Sequence, residues 1–515
     1  MAYQTINPAS GAVLKTFEDI SDADLRTAVA KAQTAYEHDW RHRSIADRAR
    51  IVRAAAAKLR EHTEEYAGYV TLEMGKLIAE AKAEVSLSAD IMDYYADRAE
   101  AYLQAQSIPD APGNMVETLP LGIILGVEPW NFPYYQLARV VGPQLMVGNV
   151  VMIKHANSVP QSAQAFARLF EEVGAPKGVY TNIFATIDQV GWLIDDFRIR
   201  GVTVTGSERA GAAVAERAGR ALKKSVMELG GSDPFIVLED APLEAALDNA
   251  LWGRMNNTGQ SCVAAKRFIV VGKERGQAFL AGFTSRMAAL HAGDPTDPAT
   301  TLGPVSSERA MKGLLHQIEE AKKAGARIVL GGGRLDRPGF YVEATILADI
   351  SKSNPIYTQE LFGPVASFYV VDDEDEAIEL ANATPFGLGG SVFTGDLEHG
   401  RRVASLSKAA WCSSITRRGR HQPCRSAASR TLAMAVNCRN WASVNSSTAA
   451  LSACRPSARR PLPWIRQANR ERNQVKNSNE DRSGSIFRCR PAAETHHDLW
   501  QSWFYRRDTA QELPI

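Results

Sequence analysis

The sequence predicts an α/β protein built on mostly parallel sheet. Two observations carry this. From residue 121 onward short apolar runs recur, at 122–127, 150–153, 202–204, 235–238 and 268–271. Between them lie stretches with helical periodicity, such as 161–173 and 210–222. Strands covered on both faces read as continuous apolar runs, and their alternation with helices marks parallel strands joined by crossovers. At 515 residues the chain has room for roughly two or three domains.

The chain opens with helices. Ser21 and Asp24 resemble a capping box, and Leu25, Ala28, Val29 and Ala32 follow at helical spacing. Ser44 and Asp47 repeat the signal ahead of Ile51, Val52, Ala55 and Leu59. The first apolar run leads into Glu128-Pro-Trp-Asn-Phe-Pro133. Its two prolines fix the backbone around Trp130 and Asn131, and a rigid side-chain amide suits a developing oxyanion. The run at 202–204 passes through Gly206 and Ser207 directly into a helix. Small residues there let a phosphate approach backbone N–H groups at a helix N-terminus, although no G-x-G-x-x-G fingerprint is present. Ligands of such sheets sit at the carboxyl ends of the strands.

Two further segments carry chemistry. Cys262 follows Asn257-Thr-Gly-Gln-Ser, whose Gly259 and small polar residues describe a flexible turn. A lone cysteine is commonly a small buried hydrophobe; a nucleophilic one needs partial exposure and a nearby base or donor. Glu228 stands among apolar residues beside Gly230 and Gly231. A carboxylate in such a setting suits general-base work.

The whole chain is 45% hydrophobic and 23% charged, with a formal net charge of +1. That balance excludes nucleic acid as the main partner. No apolar run approaches the ~20 residues of a membrane span, and the start lacks a secretory pattern. The total hides an asymmetry. Residues 1–405 hold 40 Lys+Arg against 51 Asp+Glu, a net of −11; residues 406–515 hold 19 against 7, a net of +12. Only Cys262 precedes the split, whereas Cys412, Cys424, Cys438, Cys454 and Cys489 follow it. The first part reads as a low-cysteine, cytoplasmic protein. The late Cys and His residues lack zinc-ligand spacing, so no metal is expected.

Together, Pro129-Trp-Asn-Phe-Pro133, Glu228-Leu-Gly-Gly231, Gly259-Gln-Ser-Cys262 and Glu360-Leu-Phe-Gly-Pro364 resemble the aldehyde dehydrogenase superfamily in order and spacing. The resemblance covers about residues 5–405. Within it, the segments from Trp130 to Asn149, Lys154-His-Ala156 and Glu228 to Phe235 look most like bacterial succinate-semialdehyde dehydrogenases. It implies a Rossmann-type NAD(P)-binding domain at 1–97 and 121–229, an oligomerisation strand segment at 98–120 and an α/β catalytic domain at 230–405. It also implies the roles of the residues. Cys262 attacks the aldehyde, Asn131 and the Cys262 backbone N–H hold the oxyanion, and Glu228 activates the water that releases the acid. Trp130, Lys154, Asn157, Gly206, Ser207 and Leu229 line the site of NAD or NADP, and Glu360 and Phe362 hold its nicotinamide end. Asn157 stands where strictly NAD-dependent relatives often carry an acid, so a 2′-phosphate is permitted. Arg139 matches an arginine that anchors the substrate carboxylate; a second such arginine is replaced here by Asn256. Arg139→Ala should raise KM for the semialdehyde and change butanal little. A broad-specificity aldehyde dehydrogenase is the neighbouring alternative.

The tail at 406–515 departs from the family. Residues 408–416 read Lys-Ala-Ala-Trp-Cys-Ser-Ser-Ile-Thr. Joining the third base of each codon to the first two of the next permits Glu-Gly-Gly-Met-Val-Phe-Ile-Asn-His. The same shift over residues 424–439 permits Pro-Phe-Gly-Gly-Ile-Lys-Asn-Ser-Gly-Tyr-Gly-Arg-Glu-Leu. Both are segments the family carries there. A one-base frameshift near 403–408 explains this, against the rival of a basic accessory domain. Such a tail is expected to be poorly ordered. The resemblance implies a homo-oligomer, but the strand that pairs between subunits is lost. A catalytically impaired nucleotide-binding remnant is therefore the second alternative.

Overall fold

The computed structural model describes residues 2–109, 113–410, 412–415 and 421–424. Most of the tail expected to be poorly ordered lies outside the described residues. The opening helices start where their caps predict. Ser21 accepts a hydrogen bond from the Asp24 N–H and opens Asp22–His38; Ser44 does the same for Asp47 and opens Ile45–Glu61. Two further helices follow, Thr63–Met74 and Ile78–Leu103. The latter packs along Pro133–Val147 and Ile45–Glu61.

This helical layer covers a five-stranded parallel sheet in the order Tyr180–Asn182, Val150–His155, Ile123–Glu128, Ile199–Thr205, Lys224–Glu228. Its core includes Leu125, Val151, Ile153, Val202 and Val204 from the strands, with Leu137, Val141 and Phe166 from the helices. The register matters for the site. Glu128 lies opposite His155, and Thr205 opposite Glu228, so polar groups collect at the carboxyl edge of an apolar sheet. The strand at 199–205 extends the run at 202–204 through Ile199, Arg200 and Gly201 before it and Thr205 after it.

The second sheet has eight strands, in the order Arg327–Leu330, Thr345–Ala348, Val365–Val371, Ala265–Val271, Asp233–Val237, Ser391–Phe393, Cys412–Ile415, His421–Cys424. Its pairs are parallel except the outermost one at each end. Phe235, Phe268, Phe279, Phe283 and Phe393 fill one of its faces. The helix Leu397–Leu406 passes through residue 405, and the strand Cys412–Ile415 pairs with Ser391–Phe393, with Cys412 buried in this sheet. Similarly, residues 98–103 complete the long helix, and the short pair Gln106–Ser107 with Met115–Val116 begins only after it. Among the described residues no helix is long and apolar enough to cross a membrane.

Candidate active site

Cys262 lies between helix Leu243–Met255 and strand Ala265–Val271. The chain leaves the helix through Asn257, Thr258 and Gly259, at φ 56°, 53° and 72°. A β-branched residue is costly in that left-handed region, so its surroundings must impose the conformation. Asn257 Nδ2 donates to the carbonyls of Asn131 (2.8 Å) and Gln260 (3.0 Å). Gln260 Oε1 accepts from Ser306 N at 2.8 Å, and Arg254 Nη2 donates to the Gly259 carbonyl at 2.6 Å. A Cβ on Gly259 would meet the Gly363 carbonyl oxygen at 2.2 Å. Residues 257–261 are all buried. The expected flexible turn is thus corrected. Its small polar residues are buried and tied by hydrogen bonds to Asn131, Ser306 and Arg254.

Lys266 completes the loop. It is buried, and Nζ donates to the carbonyls of Ser261 (2.8 Å) and Cys262 (2.9 Å) while pairing with Glu360 Oε1 at 3.0 Å. Glu360 also accepts from Gly231 N at 3.2 Å. Burial raises the Glu360 carboxyl above its ordinary range, with Lys266 opposing. A Cβ on Gly230 would stand 2.5 Å from Glu360 Oε2, and one on Gly231 would stand 2.4 Å from the Cys262 carbonyl oxygen. The double glycine is therefore a clearance through which the Glu360 segment and the cysteine loop meet.

The Cys262 thiol is pushed up to about 12. Burial is the main cause; Glu360 and Glu228 add to it, and Lys266 and Arg139 oppose it. The cysteine is therefore a neutral thiol near neutral pH, and its activation requires proton removal.

Asn131 faces this loop, with Nδ2 donating to the Gln260 carbonyl at 3.1 Å. Its own carbonyl accepts from Lys76 Nζ at 2.9 Å. Lys76 is buried, ion-paired with the buried Glu84, and sits 3.6 Å from the centre of the Phe132 ring. Glu84 Oε1 in turn accepts from Tyr134 N (2.9 Å) and Tyr135 N (3.2 Å), the first N–H groups of helix Pro133–Val147. On that helix Arg139 Nη2 donates to Glu228 Oε1 at 3.0 Å. The arginine expected to hold a substrate carboxylate holds the candidate base here. Beside the pair lies Glu128, whose carboxyl burial drives far above its ordinary range, against the influence of Thr205 and Arg139.

The expected cofactor residues fall at neighbouring strand ends. Lys154 Nζ donates to Asn157 Oδ1 at 2.6 Å, and burial pushes this lysine down to about 8. A cation and a neutral amide at one strand end suit a ribose phosphate, with Asp19 the carboxylate within electrostatic reach of the lysine. Gly206 N donates to the Glu228 carbonyl at 2.9 Å, and Ser207 caps helix Glu208–Arg220. The space on the Cβ side of Gly206 is open, with Ala210 Cβ 3.9 Å away. Leu229 is buried against Gly211. Trp130 and Phe362 meet edge-on at 5.8 Å. Among the described residues no cluster of His, Cys, Asp or Glu could hold a metal ion.

The model of the aldehyde dehydrogenase family matches residues 1–416. The chain belongs to the aldehyde dehydrogenase family. Its relatives include the succinate-semialdehyde dehydrogenase [NADP(+)] of Deinococcus radiodurans, 47% identical over 403 residues, covering 78% of this chain and 84% of that protein. The succinate-semialdehyde dehydrogenase [NADP(+)] 1 of Mycobacterium tuberculosis is 45% identical over 406 residues, covering 78% and 88%. Among solved structures, the succinic semialdehyde dehydrogenase of Streptococcus pyogenes in complex with NADP+ superposes with a TM-score of 0.79 at 42% identity, covering 81% of this chain and 91% of that one. In this aldehyde dehydrogenase, charged groups that sequence reasoning missed hold the segments around Cys262, Asn131 and Glu228: Lys266, Arg254, Glu128 and the Lys76–Glu84 pair. Lys266 left one trace, a pair of basic residues with Arg267 at the head of an otherwise apolar strand.

Proposed function

We propose that this aldehyde dehydrogenase oxidises succinate semialdehyde to succinate, with NADP+ preferred over NAD+. The observation that carries the substrate reading is Arg139. Its guanidinium lies within electrostatic reach of Cys262 and bonds Glu228, so a carboxylate bound there sets the aldehyde near the sulfur. The relatives named above act on this semialdehyde and support the reading. Lys154 with Asn157 supports NADP+.

Cys262, once deprotonated, attacks the aldehyde carbon. Asn131 and the Cys262 N–H stabilise the oxyanion of the thiohemiacetal. A bound NADP+ would supply the hydride acceptor for oxidation of the thiohemiacetal to a thioester. Trp130, Phe362 and Glu360 would hold its nicotinamide end, and Ser207 with the helix it caps would hold its phosphates. Glu228 then takes a proton from water, which attacks the thioester and frees the acid and the Cys262 sulfur.

The test is NADPH formation with succinate semialdehyde against butanal, on the full chain. A clear preference for the charged aldehyde, abolished by Cys262→Ala, is expected. Equal kcat/KM for both refutes the substrate reading in favour of a broad-specificity enzyme. Cofactor binding without turnover of either refutes catalysis by this chain. For the tail we hold to the one-base frameshift; the family match ending at residue 416 supports it. An unbroken reading frame on resequencing, with the printed tail present by intact mass, overturns it.

A further inference from the structure

Arg139 and Glu228 cannot both perform their proposed roles while bonded to each other. The arginine must receive the carboxylate of the substrate. The glutamate must receive a proton from water, and its Oε1 already accepts from the guanidinium. We propose that the distal carboxylate of the substrate displaces Glu228 from Arg139, and that this exchange arms Glu228 for hydrolysis of the thioester. The inference rests on the substrate reading above and deepens it. A charged aldehyde switches on the step that consumes its own acyl-enzyme.

The geometry favours an exchange over a permanent pair. The two side chains are 20% and 13% exposed, so an incoming anion can reach them. Arg139 has supports that do not depend on Glu228. Nη1 lies 3.4 Å from Gln136 Oε1, and the guanidinium lies 5.5 Å from the centre of the Tyr135 ring. Both supports stand on the same helix, whose first N–H groups are tied to Glu84. The arginine therefore stays when its partner leaves. Glu228 ends the outermost strand of its sheet and is followed by Leu229, Gly230 and Gly231, so its side chain can turn without moving a core element.

Glu128 lies within electrostatic reach of both partners, and Cys262 within reach of both and of Lys266 and Glu360. Burial drives the Glu128 carboxyl toward its neutral form, so Glu228 is the carboxylate hydrogen-bonded to Arg139 before substrate arrives, and the substrate carboxylate competes with it afterwards. In the armed state Glu228 takes one proton from water as the water oxygen bonds to the thioester carbon. The carbon–sulfur bond breaks with its electron pair on sulfur, and the proton passes from Glu228 to the Cys262 thiolate or to solvent. No oxidant or further reactant is consumed.

The exchange is tested on acyl-enzymes, which form without hydride transfer. The full chain is acylated with p-nitrophenyl butyrate or with the mono-p-nitrophenyl ester of succinic acid. The nitrophenol burst reports acylation and the later steady rate reports hydrolysis. The succinyl-enzyme should hydrolyse about tenfold or more faster than the butyryl-enzyme, the value of one charge-assisted hydrogen bond. In Arg139→Met the butyryl-enzyme should hydrolyse faster than in the unmodified chain, and the two acyl groups should converge. Free acetate should accelerate hydrolysis of the acetyl-enzyme, formed with p-nitrophenyl acetate, in the unmodified chain, which keeps the test independent of how the variant folds. Slower or unchanged butyryl hydrolysis in a folded Arg139→Met variant overturns the exchange, as does indifference to acetate. Failure to oxidise succinate semialdehyde, with these acyl-enzyme results as expected, overturns the substrate reading instead.

Discussion

Replacing Lys266 with Met removes a buried ammonium shared by Glu360 and the carbonyls of Ser261 and Cys262. Nζ lies 2.9 Å from the Cys262 carbonyl oxygen, and covalent geometry places the sulfur of the same residue about 6 Å away. A unit charge at about 6 Å and an effective dielectric of about 20 is worth about 3 kcal/mol to a thiolate. Glu360, 3.0 Å from the same ammonium, cancels part of this. About 1.5–3 kcal/mol remains, which is about 10- to 100-fold in thiolate population at fixed pH. The assay is the pH dependence of iodoacetamide alkylation, followed by mass spectrometry on the peptide that contains Cys262, since the tail carries other cysteines. Lys266→Met should react 10- to 100-fold more slowly than the unmodified chain. Glu360→Gln should react faster, because the Glu360 charge holds the thiol up. Lys266→Gln keeps hydrogen-bond donors and loses only the charge, so it separates electrostatics from loss of the loop. Unchanged rates in the Lys266 variants, or slower reaction in Glu360→Gln, would refute the reasoning.

Other predictions follow the same contacts. Lys154 is charged below about 8 and loses its proton above it, so KM for NADP+ should rise as pH passes that value while KM for NAD+ moves less; parallel profiles would remove Lys154 from the phosphate site. Gly259→Ala forces a Cβ to within 2.2 Å of the Gly363 carbonyl at φ 72°, and kcat/KM should fall about 100-fold or more as the cysteine loop shifts; near-normal turnover would mean the loop adapts. Lys76→Met strands the buried Glu84 carboxylate and should cost about 3–5 kcal/mol, read as a lowered thermal midpoint; an unchanged midpoint would show that the helix N–H groups hold Glu84 alone.

Much of the scaffold is legible in the chain because its signals are local. Ser21 and Ser44 cap the helices they announce, and the five apolar runs all become strands. The candidate Cys262, Glu228 and Asn131 stand out because glycines and prolines punctuate their segments. What holds them is not local. Lys76 lies 55 residues from Asn131, and Arg139 lies 89 residues from Glu228. No periodicity announces such pairs, since a lysine in a loop such as Lys76, or an arginine in a helix such as Arg139, ordinarily reads as solvated. The cysteine loop was misread for a related reason. Glycine and small polar residues indicate an unusual backbone conformation, and only the packing around Asn257 and Thr258 shows that the conformation is rigid.

The two sheets divide the reacting groups between them. Asn131, Arg139 and Glu228 are carried by the first sheet and its helices, whereas Cys262, Lys266 and Glu360 belong to the second. Neither half holds a working set. The proposed reaction thus depends on the alignment of two sheets joined in the chain by the segment Leu229–Gly231, and a shift of about an ångström between them would separate the proposed groups without altering any side chain.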